Sequence, residues 1–160
     1  MSPTLAGDLS LLAGLASAVM TGVFLAFSDF LMRGFREAGN VSGMQSMQAL
    51  NRTVLRSVFL TVFLLLVPGL IALAWWAMAG MSGAGRDLVL AGAAIYLLGA
   101  FGVTLFGNVP MNRKLERLDA PEADYWSLYL ERWTRLNHVR TLACFLTAIC
   151  LVLAARWGVM

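Results

Sequence analysis

The chain has 160 residues, 59% of them apolar and only 13% charged; a water-soluble surface cannot be assembled from that inventory, so a bilayer is the expected solvent. Its length suits one domain, 1–160, and leaves no room for a separate soluble module. The formal charge of +3 does not point to nucleic acid, because the basic residues flank apolar blocks and form no stripe.

The first apolar block, about 9–32, carries no charge until Asp29 and exceeds the roughly 20 residues needed to cross hydrocarbon. It follows Asp8 rather than a basic segment and outruns a signal-peptide core, so it reads as a retained span, with the mature chain beginning near Met1. Asp29 precedes Arg33 by four residues, the favourable order for an ion pair on a helix. From Arg33 to Thr53 the chain is polar. Gly39, Asn40, Ser42 and Gly43 form a breaker cluster, and the good helix formers from Met44 to Arg52 are expected to lead directly into the second span, about 54–78. Pro68-Gly69 predicts a kink within it.

Gly80 to Gly85 reads as a turn before the third span, about 88–107. That span meets Asn108-Val109-Pro110-Met111-Asn112, where proline removes a donor and disturbs the carbonyl of Phe106, so the helix should bend or stop. From Pro121 onward Trp126, Leu130, Trp133, Asn137 and Arg140 keep one face at helical spacing, which predicts a polar helix running into the fourth span, about 138–156. Cys144 and Cys150 fall in that block, roughly 9 Å apart along the axis at 1.5 Å per residue. They cannot pair with each other and read as small core residues.

The expected fold is therefore all-α, an integral membrane four-helix bundle with a cytoplasmic polar helical extension before the fourth span. Arg33, Arg36, Arg52 and Arg56 fall around the first polar loop and Arg113, Lys114, Arg117, Arg132, Arg135 and Arg140 around the third, against Arg86 and Arg156 elsewhere. The excess places both termini outside and the polar loops in the cytoplasm of what we expect to be a bacterial inner membrane. Trp75, Trp76 and Trp157 on one side and Trp126 and Trp133 on the other suit two aromatic belts. Contact with membrane lipid follows, and a homo-oligomer is left open.

Three segments bring polar groups to one level of this bundle. His138, the only histidine, lies at the mouth of the fourth block with Asn137 and Arg140, although on a helix it sits one step around from them. Asn108 and Asn112 are spaced by four across Pro110, and Gln48, Asn51 and Arg52 precede the second span. Interfacial anchoring and helix capping would account for each group separately. Polar side chains at membrane depth are nevertheless functional candidates by default, and one shared pocket is the economical reading of all three. Met44 and Met47 are too poorly supported by other ligands to suggest zinc or copper, so no metal site is expected. No cofactor motif is present, and the open alternative is non-covalent haem b with His138 as axial ligand.

Met47-Gln48-Ala49-Leu50-Asn51-Arg52, Asn108-Val109-Pro110-Met111-Asn112, and Trp133 followed by Asn137-His138-Val139-Arg140-Thr141 together resemble the anthrone-oxygenase-like family of small four-helix membrane proteins, in the family's order. Leu136 departs from the aromatic residue that often precedes the asparagine there. The resemblance implies oxidation of a small hydrophobic aromatic, polyketide-like substrate by molecular oxygen without an added cofactor. An anthrone methylene is acidic because its carbanion is delocalised onto oxygen, so such a protein needs a base and an anion clamp. On that implication His138, an imidazole suited to neutral-pH proton transfer, is the base. Arg140 with the amides of Asn112, Asn108 and Asn137 forms the clamp. Trp126, Tyr129 and Trp133 supply flat walls, with Gln48 and Asn51 also on the substrate side. The rival reading is a non-catalytic lipid- or quinone-binding module that uses the same patch for headgroups.

Overall fold

A computed structural model describes residues 3–118 and 122–157. The expected start at Met1, the contribution of Pro121 and the side chain of Trp157 lie outside the described residues. Every regular element within them is helical, and four helices are long and apolar enough to cross a membrane: Leu5–Glu37, Val58–Gly80, Gly83–Glu116 and Ala123–Arg156. The chain is thus an integral membrane helical bundle.

The first long helix comprises α1 (Pro3–Ala26), a wide π-helical turn at Phe27–Leu31, and α2 (Met32–Glu37). Asp29 and Arg33 form the expected exposed ion pair, 3.1 Å apart. The chain reverses at Gly39, whose φ of +84° is readily available only to glycine, and enters α3 (Asn40–Val54). Only Gly39 of the breaker cluster breaks anything, since Ser42 and Gly43 lie within α3. Gly43 has a different task. A Cβ there would stand 2.2 Å from the Phe35 carbonyl oxygen and 3.0 Å from the Trp126 ring, so α3 can fold back on the first helix only with no side chain at this position.

The expectation that α3 leads directly into the second span is not met. The chain breaks at Leu55–Ser57, where Ser57 turns extended and its Oγ accepts a hydrogen bond from the Leu60 N–H at 3.1 Å, capping α4 (Val58–Gly80). α4 runs through Pro68. After Met81 and Ser82 the third long helix begins with α5 (Gly83–Ile95) and continues through π-helical stretches at Tyr96–Gly102 and Thr104–Asn108 into α6 (Val109–Glu116). It does not stop at Pro110. The Val109 N–H bonds the Thr104 carbonyl, five residues back, and this wider turn carries the helix past a proline ring that would collide with an α-helical carbonyl.

α7 (Ala123–Trp157) is one continuous helix, with the polar first half and apolar second half that the spacing predicts. It packs along α1 and against the third long helix, where a Cβ at Gly99, in the Tyr96–Gly102 stretch, would lie 2.7 Å from that of Ala143, so absence of a side chain sets the approach of these last two helices. The apolar core between the spans includes Phe24, Phe63, Leu70, Tyr96, Cys144 and Leu151, and the Tyr96 hydroxyl is satisfied by the Phe63 carbonyl at 2.8 Å. Both cysteines are free. A second cluster of Met32, Met44, Met47, Leu115, Trp126, Tyr129 and Trp133 knits α2, α3, α6 and the first half of α7 into a cap at the polar end.

Replacing Gly43 with Ala is expected to destabilise the cap by about 1–3 kcal/mol, the usual range for overpacking. Gly34→Ala, in the same cap but with nothing within 4 Å of the added methyl, should melt no lower than wild type. Thermal unfolding of the two variants in detergent checks this, and equal melting temperatures would refute the close approach at Gly43.

Candidate functional site

α7 carries Trp133, Asn137 and Arg140 at helical spacing, so their side chains share the face turned inward, and all three are buried. Asn137 joins two long helices. Its Nδ2 donates to the Phe24 carbonyl of α1 and to Ser28 Oγ in the first π turn, both at 2.6 Å, while its Oδ1 accepts from Arg140 Nη2 at 2.6 Å. Every hydrogen-bonding atom of this amide is therefore committed. It fixes where the arginine head goes.

Arg140 is only 5% exposed. Besides Asn137 it has one long contact, Nη1 to Thr104 Oγ1 at 3.4 Å, and its Nε has no partner. The guanidinium carbon lies 4.4 Å from the Phe24 ring centre and 4.9 Å from that of Trp133. Cation–π attraction offsets part of the cost of removing this charge from water. Among the described residues no carboxylate pairs with it. A buried cation normally finds a counter-ion, because desolvation costs several kcal/mol per ion.

The head forms part of the wall of a cavity of about 420 Å³, within the range of small-molecule sites. Val23, Phe24 and Phe27 line it from the first helix, Phe59, Leu60 and Phe63 from α4, and Trp133 from α7. Polar groups enter from Asn51 and Arg52 on α3, Thr104, and Asn112, Arg113 and Glu116 on α6. Asn112 is oriented by its neighbours. Its Oδ1 accepts from the Tyr129 hydroxyl at 2.8 Å and from Trp133 Nε1 at 2.9 Å, which leaves its Nδ2 as the donor still to be used. Asn51 Nδ2 is buried beside the Tyr129 hydroxyl but makes no well-formed hydrogen bond to it. One cation and two amide donors thus border a largely aromatic and aliphatic space, an arrangement suited to a flat apolar molecule that carries negative charge on oxygen.

Of the residues expected at the site, Arg140, Asn112, Asn51 and Trp133 border the cavity. Asn137 and Asn108 stand behind its wall, the latter buried with its Nδ2 on the Trp133 carbonyl at 3.4 Å and its Oδ1 unpartnered. Trp126 and Tyr129 are also behind it. They stack in a ladder with Trp133, with ring centres 5.6 and 6.2 Å apart, and support that ring from the cap side. Gln48 is elsewhere. Its Nε2 donates to the carbonyls of Leu115, in the last turn of α6, and Leu118, just past it, at 2.9 and 3.1 Å.

The expectation of a histidine in the shared cavity is not met. His138 is exposed and forms no part of the cavity wall, because a residue adjacent to Asn137 is turned about a quarter of the way around the helix from it. His138, the axial ligand of the haem alternative, faces outward from the bundle and not into this cavity. Met44 and Met47 are buried in the cap, and among the described residues no group of three or more His, Cys, Asp or Glu gathers as a metal site. Thr104, Glu116 and the three α4 residues were not legible as site residues. Glu116 carried one signal, since it continues the four-residue spacing of Asn108 and Asn112 along α6.

A family model described as anthrone oxygenase matches residues 55–150, more than half of the chain and including α4 to α6 and most of α7. No curated protein and no solved structure matches.

A buried guanidinium without a counter-ion opposes folding, so Arg140→Met is expected to melt at or above the wild-type temperature in substrate-free detergent. A drop of several degrees would mean that the bond to Asn137 and the contacts with the Phe24 and Trp133 rings outweigh the cost of burying the charge.

Proposed function

The chain belongs to the anthrone oxygenase family, and from that premise we propose that it oxidises a small aromatic, polyketide-like substrate with molecular oxygen through the substrate's carbanion, which Arg140 holds with the amides of Asn112 and Asn51. One observation carries this reading: the Arg140 head is buried at the wall of an aromatic cavity with no carboxylate beside it. Its missing partner is then the substrate's own delocalised oxyanion. Stabilising that anion makes the carbon acid easier to ionise, and an electron-rich carbanion reacts with oxygen without further activation. The planar fork of arginine suits an oxyanion in the ring plane, and the Phe24 and Trp133 rings against which the guanidinium lies also line the cavity as walls for the arene.

His138 has no part in this reading, since its exposed position keeps it from the cavity. We place the polar cap in the cytoplasm and both ends of the chain outside, in a bacterial inner membrane, on the strength of the arginines and Lys114 gathered in that cap. A substrate dissolved in the bilayer would reach the cavity between α1 and α4, where its lining is apolar.

Oxygen uptake with anthrone, measured in detergent against the spontaneous oxidation, is expected to exceed background for wild type and for His138→Ala. Arg140→Lys should lose about 10²- to 10³-fold in turnover, the range seen when one oxyanion donor is removed. Wild type no faster than background would remove the anthrone substrate, and saturable binding of a quinone or phospholipid without turnover would favour the headgroup-binding rival. Topology is read separately: a reporter fused after the last residue should report an outside location, and a cytoplasmic one would invert the orientation.

A further inference from the structure

Exclusion of His138 leaves the carbanion chemistry without a proton acceptor. Among the residues bordering the cavity the only carboxylate is Glu116, the last residue of α6. Its Oε1 lies 2.7 Å from Arg52 Nη1, and Arg52 also borders the cavity, from α3. Glu116 follows Asn112 by four residues and so lies on the same side of α6, one turn closer to its end. Helix stability does not account for an acid here, because a carboxylate at a helix C-terminus meets the negative end of the dipole. Arg113 and Lys114, in the same last turn, are the residue types that position favours. The ion pair with Arg52 instead ties the carboxylate to the cavity rim, where its side chain is 38% exposed and can exchange protons with solvent.

We propose that Glu116 is the catalytic base of this site, taking the proton from the substrate's acidic carbon while Arg140 holds the anion that results. This rests on the oxygenase reading. The carboxylate takes one methylene proton, and the C–H electron pair stays with the substrate, delocalised onto the oxygen at Arg140. Molecular oxygen accepts that pair in forming a C–O bond, giving a peroxide anion, which recovers the proton from the Glu116 carboxyl. The carboxylate then removes the remaining proton from the same carbon. Its C–H pair becomes the second bond of a new carbonyl, the O–O bond breaks, and hydroxide leaves and takes the proton from Glu116 as water. One oxygen molecule is consumed, the methylene becomes a carbonyl, one water is released, and Glu116 ends as it began.

Proton removal can be followed without the oxygen step, as deuterium uptake at the methylene of anthrone in D₂O buffer under anaerobic conditions. Wild type is expected to exchange it faster than buffer. Glu116→Gln should lose about 10²- to 10⁴-fold of that acceleration, the range for general-base catalysis, with KM little changed, and Glu116→Asp should recover part of it. Melting temperature and monodispersity of each variant establish that it is folded before rates are compared. Wild-type exchange that persists in Glu116→Gln but is lost in Arg140→Lys overturns Glu116 as base and leaves the oxygenase reading standing. No acceleration of either exchange or oxygen uptake by wild type overturns both.

Discussion

The hydrogen bond between Asn137 and Arg140 is the interaction on which the functional end of the bundle depends. Asn137 spends both amide hydrogens on the first helix, at Phe24 and Ser28, and turns its only acceptor toward the guanidinium. The amide is neutral, so it can aim the arginine without neutralising it. A carboxylate at 137 would pair with Arg140 but could not donate to the Phe24 carbonyl, and the charge offered to the cavity would be spent inside the protein. Wide turns accompany this arrangement on both neighbouring helices, at Phe27–Leu31 and at Thr104–Asn108. The first supplies Ser28 to Asn137 and the second begins with Thr104, the other contact of Arg140. π turns enlarge a helix locally and displace side chains from the α register, which is how two spans can make room for a cavity.

Most of the fold was legible because a bilayer imposes one demand, some 20 apolar residues in helical form, and four blocks of this chain meet it. The continuity of α7 across the polar boundary was legible too, from Trp126, Trp133, Asn137 and Arg140 at helical spacing. What the sequence did not reveal depends on single hydrogen bonds or on contacts between distant segments. Residues 44–54 and the second span both look helical, and the turn at Leu55–Ser57, closed by Ser57 on the Val54 carbonyl and by the Ser57 Oγ cap on the Leu60 N–H, makes them separate helices. Pro110 signals an obstacle, but its effect depends on the helix around it. A helix that can widen passes the ring instead of ending there.

The site divides along the same line. Arg140, Asn112, Asn51 and Trp133 were identifiable because polar and aromatic residues beside apolar blocks need partners, and the structure supplies a common cavity for them. Gln48, Asn108, Trp126, Tyr129 and Asn137 belong to its supports, a distinction that needs three-dimensional contacts. His138 drew attention by its chemistry, yet the angular position of a residue adjacent to Asn137 already turned it away from that face. Glu116 shows the opposite failure. In a run of mixed charge it reads as one more solvated residue, and only its spacing from Asn112 set it apart.

The cavity's position joins two requirements that conflict elsewhere in a protein. A substrate that partitions into lipid has to leave it through apolar walls, and the residues of α1 and α4 provide them. The chemistry proposed here also needs a fixed cation, amide donors and a carboxylate in contact with water. Deep in the core these polar groups would cost more than a small bundle can bear, and on an exposed surface water would screen the guanidinium and weaken its hold on the anion. At the junction of the core and the cap both demands are met along one channel: the Arg140 head is buried under Phe24 and Trp133, whereas the Arg52–Glu116 pair sits at the rim within reach of solvent. Much of the cap's architecture serves this gradient. Gly43 lets α3 lie close enough to bring Arg52 to the cavity, and Gln48 holds the end of α6, the turn that carries Glu116, against α3. Helix α3 and the last turn of α6 thus hold the proposed base at the rim of the cavity that Arg140 also borders.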